Sequence, residues 1–179
     1  MNWKIFKVSF CLIAVLFAGQ SCGVYSLSGI SIDYSKVQTI SIETFYDETA
    51  GAPPNIAQRF SEELRDYYQQ NTQLTLQDAD GHLQLSGSIV DYRFSPIAPT
   101  ASNDPNQPDV AQGERLTITV SVTYINTVDS EQSFENKRFS FYRDYNPSTQ
   151  QLSQVENTLI DEIFEQVIQD IFNATVANW

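Results

Sequence analysis

The chain of 179 residues sets 22 acidic side chains against 10 basic ones, a formal net charge of −12 and a pI near 4.2. That balance excludes a nucleic-acid binder, which needs a basic face, and broad adhesion to an anionic membrane surface. With 41% hydrophobic residues and only two cysteines, the fold has to rest on a hydrophobic core and not on a disulfide framework.

Lys4 and Lys7 precede an apolar run of 11 residues, Val8 to Ala18, and Gly19-Gln20-Ser21 then lead into Cys22. This is the layout of a secretory signal, too short to be a membrane-spanning helix. The expectation is a lipoprotein signal peptide over residues 1–21, with Cys22 acylated as the first mature residue and the rest soluble. Gly19 stands where leucine is usual before such a cysteine, and Gln20 where a small residue is usual. Two other readings are ordinary cleavage that leaves Cys22 as a free thiol, and an uncleaved anchor. A lone exported thiol would be an oxidation liability, which favours the lipid. Cys11 is lost with the signal, so no intramolecular disulfide is expected. The remaining 158 residues carry a net charge of −14. They suit one domain able to bury roughly 70% of its unfolded surface.

Residues 22–36 are polar and serine-rich and read as a lipid-anchored tether to a single α+β domain over 37–179. No acidic cluster follows Cys22, where the chain reads Gly23-Val24-Tyr25-Ser26, so the anchor is expected to face the periplasm. Val37 to Phe45 alternates apolar and polar and predicts a strand. Pro53-Pro54 opens a helix carrying Ile56, Phe60, Leu64 and Tyr68 on one face and ending near Asn71. Leu74 and Leu76 are apolar at period two, and Asp80-Gly81 is a turn signal. His82 to Phe94 predicts a second strand in which Leu83, Leu85 and Ile89 share a face. The phase slips at Tyr92 and Phe94, which predicts a bulge near Val90.

Ser95 to Glu114 holds four of the seven prolines and predicts a loop. Arg115 to Ile125 is the clearest strand: Leu116, Ile118, Val120, Val122 and Tyr124 alternate with Thr117, Thr119, Ser121 and Thr123. Phe134 to Tyr142 predicts a fourth strand. The last helix has two alternative capping boxes, Ser148-x-x-Gln151 and Ser153-x-x-Glu156. Its apolar face is built from Leu159, Ile163, Val167 and Ile171, widened by Ile160, Phe164, Ile168 and Phe172, and it ends near Asn173. The order β-α-β-β-β-α predicts a two-layer α+β sandwich, with both helices on one face of a four-stranded, mainly antiparallel sheet. The other sheet face is left to solvent or a partner.

Catalytic chemistry finds little support. There is one histidine, His82, no nucleophile–base set and no glycine-rich phosphate loop, so no enzyme and no cofactor are expected. Asp78, Asp80 and His82 at alternate positions have metal-ligand spacing, but they read as a polar run into a strand, and no metal site is expected. Glu62-Glu63 and Asp161-Glu162 are neighbours on helices, do not face each other, and read as solvated faces. Five of the eight basic residues after the signal, Arg93, Arg115, Lys137, Arg138 and Arg143, fall on or beside the later strands. They either gather positive charge for a phosphate-bearing ligand or pair across strands with Asp91, Glu135 and Asp144.

The stretches SCGVYSLSG, PPNIAQRFSEELRDYY, NTQLTL, LQLSGSIVDYRFSP, GERLTITVSVTY and EIFEQVIQDIFNATVANW, in this order behind a lipoprotein-like signal, resemble the LptE family of outer-membrane lipoproteins. The likeness is to a divergent branch with short sequences. It implies a lipid-anchored subunit at the outer membrane that plugs an LptD-like β-barrel and assists lipopolysaccharide assembly. It also implies that basic strand residues touch lipopolysaccharide or the barrel; in this chain those positions are Arg93, Arg115, Lys137 and Arg138. The strong acidity departs from a simple lipopolysaccharide binder. The competing expectation is a stand-alone envelope lipoprotein that binds a small ligand or lipid, or that serves another envelope transporter.

Overall fold

Two apolar stripes and three long alternating strands account for most of the architecture in the computed structural model, which describes residues 32–97 and 113–176. The signal segment, Cys22, most of the tether, positions 98–112 of the proline-rich connection and positions 177–179 lie outside the described residues. The elements are β1 (Thr39–Ile42), β2 (Tyr46–Asp47), α1 (Ile56–Asn71), β3 (Thr75–Gln77), β4 (Leu83–Pro96), β5 (Glu114–Asn126), a 3-10 turn (Ser130–Gln132), β6 (Phe134–Tyr145) and α2 (Leu152–Thr175).

The α+β class and the two-layer arrangement hold, but the sheet has six strands, not four. Their order is β3-β1-β4-β5-β6, with β2 also on β4. It is antiparallel only from β4 to β6; β1 runs parallel to β3 and β4, and β2 parallel to β4. The parallel part follows from connectivity. α1 carries the chain back between β1 and β3, as parallel neighbours require. The expected single strand Val37–Phe45 is broken because Phe45 turns into the core. Its N–H donates to Ser61 Oγ on α1 at 2.8 Å instead of to a strand, and its ring packs edge-on to Phe60 at 5.1 Å. Gly87 makes room for that ring, since a Cβ there would lie 2.7 Å from Phe45 Cε1 and 2.1 Å from Ser121 O.

α1 buries Ile56, Phe60, Leu64 and Tyr68, the stripe its spacing predicts. α2 buries Leu159, Ile160, Ile163, Phe164, Val167, Ile168, Ile171 and Phe172. Both helices meet the sheet face formed by Leu83, Leu85, Ile89 and the even residues from Leu116 to Tyr124. The bulge expected near Val90 is present as a register shift between Ile89 and Asp91. It returns Tyr92 and Phe94 to the helix side, opposite Ile118 and Leu116. Neither capping box of α2 forms. Gln151 sits at the N-cap without a side-chain bond. The preceding turn is built on Asn146, whose Oδ1 accepts from Ser148 N–H and whose carbonyl accepts from Gln150 N–H.

Candidate functional surface

The sheet face away from the helices is polar by construction. Alternation along β5 puts Arg115, Thr117, Thr119, Ser121 and Thr123 on it, half-buried among their neighbours. Register adds Ser86, Ser88, Asp91, Arg93 and Ser95 from β4, and Arg138, Ser140, Tyr142 and Asp144 from β6. Thr119 Oγ1 and Ser140 Oγ share a cross-strand hydrogen bond at 2.9 Å.

The four basic residues singled out from the sequence do not form one cluster. Arg115 lies directly opposite Asp144 and holds it through both guanidinium arms, Nε to Oδ1 at 2.7 Å and Nη2 to Oδ2 at 3.0 Å. Its guanidinium also stacks on Tyr142, 3.7 Å from the ring centre. The ion pair keeps the Asp144 carboxyl below its ordinary value and the Arg115 guanidinium above its own. Arg93 approaches Asp91 of its own strand at 3.6 Å.

Arg138 is on the open face opposite Ser121, exposed and without a carboxylate partner among the described residues. Lys137 is on the other side. Asn136 takes φ +50° and the β5–β6 register shifts between Val122 and Tyr124, so Lys137 lies opposite core residue Val122. There its ammonium sits 5.0 Å from the Phe134 ring and 5.4 Å from the Phe139 ring. Three of the four residues thus share the open face, and Lys137 lies at its margin on the helix side.

Tyr142 was not singled out from the sequence, although its phase opposite Phe139 and Phe141 is a period-two signal for the open face. The helix carboxylates are less free than their pattern suggests. Arg59 bridges Glu63 and Asp161, and Arg143 meets Glu162 at 2.6 Å, tying α1 to α2 and β6 to α2. His82 is a structural tie: its Nδ1 accepts from Gln38 N–H at 3.3 Å and contacts Thr39 Oγ1 at 3.0 Å. Among the described residues no cluster of three potential metal ligands occurs. A cavity of about 280 Å³ opens where residues 32–37 meet the end of the sheet. Leu83, Tyr124, Val128 and Val176 line it together with Asp33 and Lys36.

A family model described as LptE, lipopolysaccharide-assembly, matches residues 37–175. No curated protein matches the chain. Among solved structures, hypothetical protein CT253 of Chlamydia trachomatis is similar at 10% identity and a TM-score of 0.51, over 79% of this chain and 99% of that one. That likeness is one of fold. A minor lipoprotein of Acinetobacter baumannii (13% identity, 75% of this chain and 89% of that one) has a TM-score of 0.44. Rare lipoprotein B of Shewanella oneidensis (13%, 74% and 89%) has a TM-score of 0.42.

Proposed function

This chain belongs to the LptE family of lipopolysaccharide-assembly proteins, and on that premise we propose that it is a non-catalytic, lipid-anchored subunit of a lipopolysaccharide-export β-barrel. The anchor is Cys22, the location is the periplasmic side of the outer membrane, and the partner is an LptD-like barrel whose lumen receives the domain. The observation that carries this reading is the open sheet face. It is rich in hydroxyls and carries both signs of charge, and so suits a wet interface with the polar interior of a large barrel.

The same reading assigns phosphate contact to Arg138 and Lys137 before Arg93 and Arg115. Arg115 has both guanidinium arms engaged by Asp144, and Arg93 has Asp91 beside it. A lipopolysaccharide phosphate would have to displace a carboxylate there, but not at Arg138 or Lys137. The test is affinity capture of the intact protein from outer membranes. Stoichiometric recovery of a large β-barrel supports the reading. Its absence, with the protein folded and acylated, overturns it in favour of a stand-alone lipoprotein. The 280 Å³ cavity would then be the first place to look for a ligand.

A further inference from the structure

Of the four large apolar or aromatic side chains exposed among the described residues, two stand on one turn. Ile125 and Val128 are each 43% exposed. Between them Asn126 is buried and organises the turn from inside. Its Oδ1 accepts from Val128 N–H at 3.0 Å and from Asp129 N–H at 2.9 Å. Its own N–H donates to Ser133 Oγ at 2.9 Å, and its Nδ2 donates to Gln132 Oε1 at 3.3 Å. The turn is therefore built from bonds within itself.

Val128 forms one wall of the cavity of about 280 Å³ at the end of the sheet. Its floor is core: Val37, Leu83, Tyr124 and Val176 line it, and none is more than 7% exposed. The volume lies below the roughly 300–1,000 Å³ of small-molecule pockets and suits one large side chain. The mouth is acidic. Asp33 and Lys36 pair at 3.4 Å and cancel. Asp129, on the opposite rim, has no Lys or Arg partner among the described residues, and neither has Glu131 beside it. The Asp129 oxygens accept only from Glu131 N–H and from Gln132 Nε2.

We propose that this cavity is the socket for a basic segment of a partner protein. One large apolar side chain of that segment enters the cavity, and a lysine or arginine next to it meets Asp129 and Glu131. Three features select this occupant. The apolar floor calls for an apolar anchor, and the exposed Val128 and Ile125 extend the contact beyond the cavity mouth. The uncompensated carboxylates favour a cationic neighbour and repel an acidic segment. The turn held by Asn126 is already in place, so little freedom is lost there on docking. The inference does not rest on the open-face reading, because the cavity takes no residue from that face.

The test is photo-crosslinking in cells that make the full chain, with a photoreactive residue in place of Val128 or Ile125 and, separately, of Thr119 on the open face. From the first two positions the expected product is a second protein. Sequencing should place the attachment on or next to an apolar residue that has a lysine or arginine within two positions. Asp129→Asn with Glu131→Gln removes both charges and keeps the acceptor that caps the turn. That double variant should leave the melting temperature unchanged and lower the crosslink yield about fivefold, through two exposed ion pairs. Attachment to residues 22–31 or 177–179 of the same chain, to a second copy, to lipid or to a segment without a basic residue overturns the proposal. So does the absence of any product from a folded chain, or a yield that the double variant does not change. Products from Thr119 report on the open face alone, so the two readings fail separately.

Discussion

The hydroxyls of Tyr68 and Thr175, 107 residues apart in sequence, are hydrogen-bonded inside the core where the ends of α1 and α2 meet. Thr175 Oγ1 also lies 2.9 Å from Ile171 O, and Thr175 O accepts from Tyr124 OH at 3.2 Å. One threonine therefore links both helices and the central strand, with every buried side-chain polar atom among the described residues satisfied. Thr175→Val leaves the Tyr68 hydroxyl without its partner and should cost about 1–3 kcal/mol. Adding Tyr68→Phe should recover part of that loss. Denaturant melts of the two single variants and the double variant check this, and strict additivity would show that the two hydroxyls are not coupled.

Phe172 packs edge-on to Tyr67 at 5.1 Å and to Tyr68 at 5.2 Å and is 7% exposed. Phe172→Ala should cost about 3–5 kcal/mol. A fall in melting temperature of only a degree or two would show that the last turn of α2 contributes little to the core.

Gly87 is small because two elements converge on it. A methyl group there would meet Ser121 O at 2.1 Å and Phe45 Cε1 at 2.7 Å. The carbonyl belongs to the β4–β5 ladder and cannot yield without opening the register, so Gly87→Ala should destabilise by roughly 1–3 kcal/mol or more. Reducing Phe45 as well should recover only the ring clash. Thermal melts of the single and double variants check this, and a neutral Gly87→Ala would mean the ladder yields freely.

Burial raises the Tyr124 phenol to about 12. Its unfolded value is near 10. A group raised on folding contributes stability that is complete below its unfolded pKa and is lost as pH rises through the folded one. Stability should therefore fall between about pH 10 and 12, by on the order of 2–3 kcal/mol from this residue. Tyr124→Phe should make that limb shallower in melts across the range, leaving the part that comes from Tyr68, Tyr92 and Tyr145, whose phenols burial also raises. An unchanged alkaline limb would exclude Tyr124 as its source.

Arg115→Glu would set two carboxylates directly opposite each other, since residue 115 faces Asp144. The expected cost is about 0.2–1 kcal/mol, recovered by adding Asp144→Arg. Arg138→Glu breaks no ion pair among the described residues and should shift stability by less than about 0.5 kcal/mol, whereas Lys137→Glu also loses the contacts to Phe134 and Phe139 and should cost about 0.5–1 kcal/mol. On the proposed function these two changes reduce lipopolysaccharide export more than the Arg115/Asp144 swap does. Equal export in all of them would remove phosphate contact from this strand.

Much of this protein was legible in its sequence because local periodicity reports local burial. Spacings of four placed Ile56, Phe60, Leu64 and Tyr68 on one helical stripe, and alternation sorted β5 into a core face and a hydroxyl face. The phase slip after Ile89 located the bulge at Val90.

Other features depended on contacts distant in sequence. The break between β1 and β2 arises because Phe45 finds Ser61 and Phe60 on α1, and a strand pattern carries no record of that partner. The parallel margin arises because α1 crosses between β1 and β3. The basic residues divided for the same reason. Register set Arg115 against Asp144, and the positive φ at Asn136 turned Lys137 toward Phe134 and Phe139 while Arg138 stayed on the open face. Periodicity assigns a residue to a face within its own element. Which residue stands opposite it depends on how elements far apart in the chain are packed, and only the tertiary structure decides that.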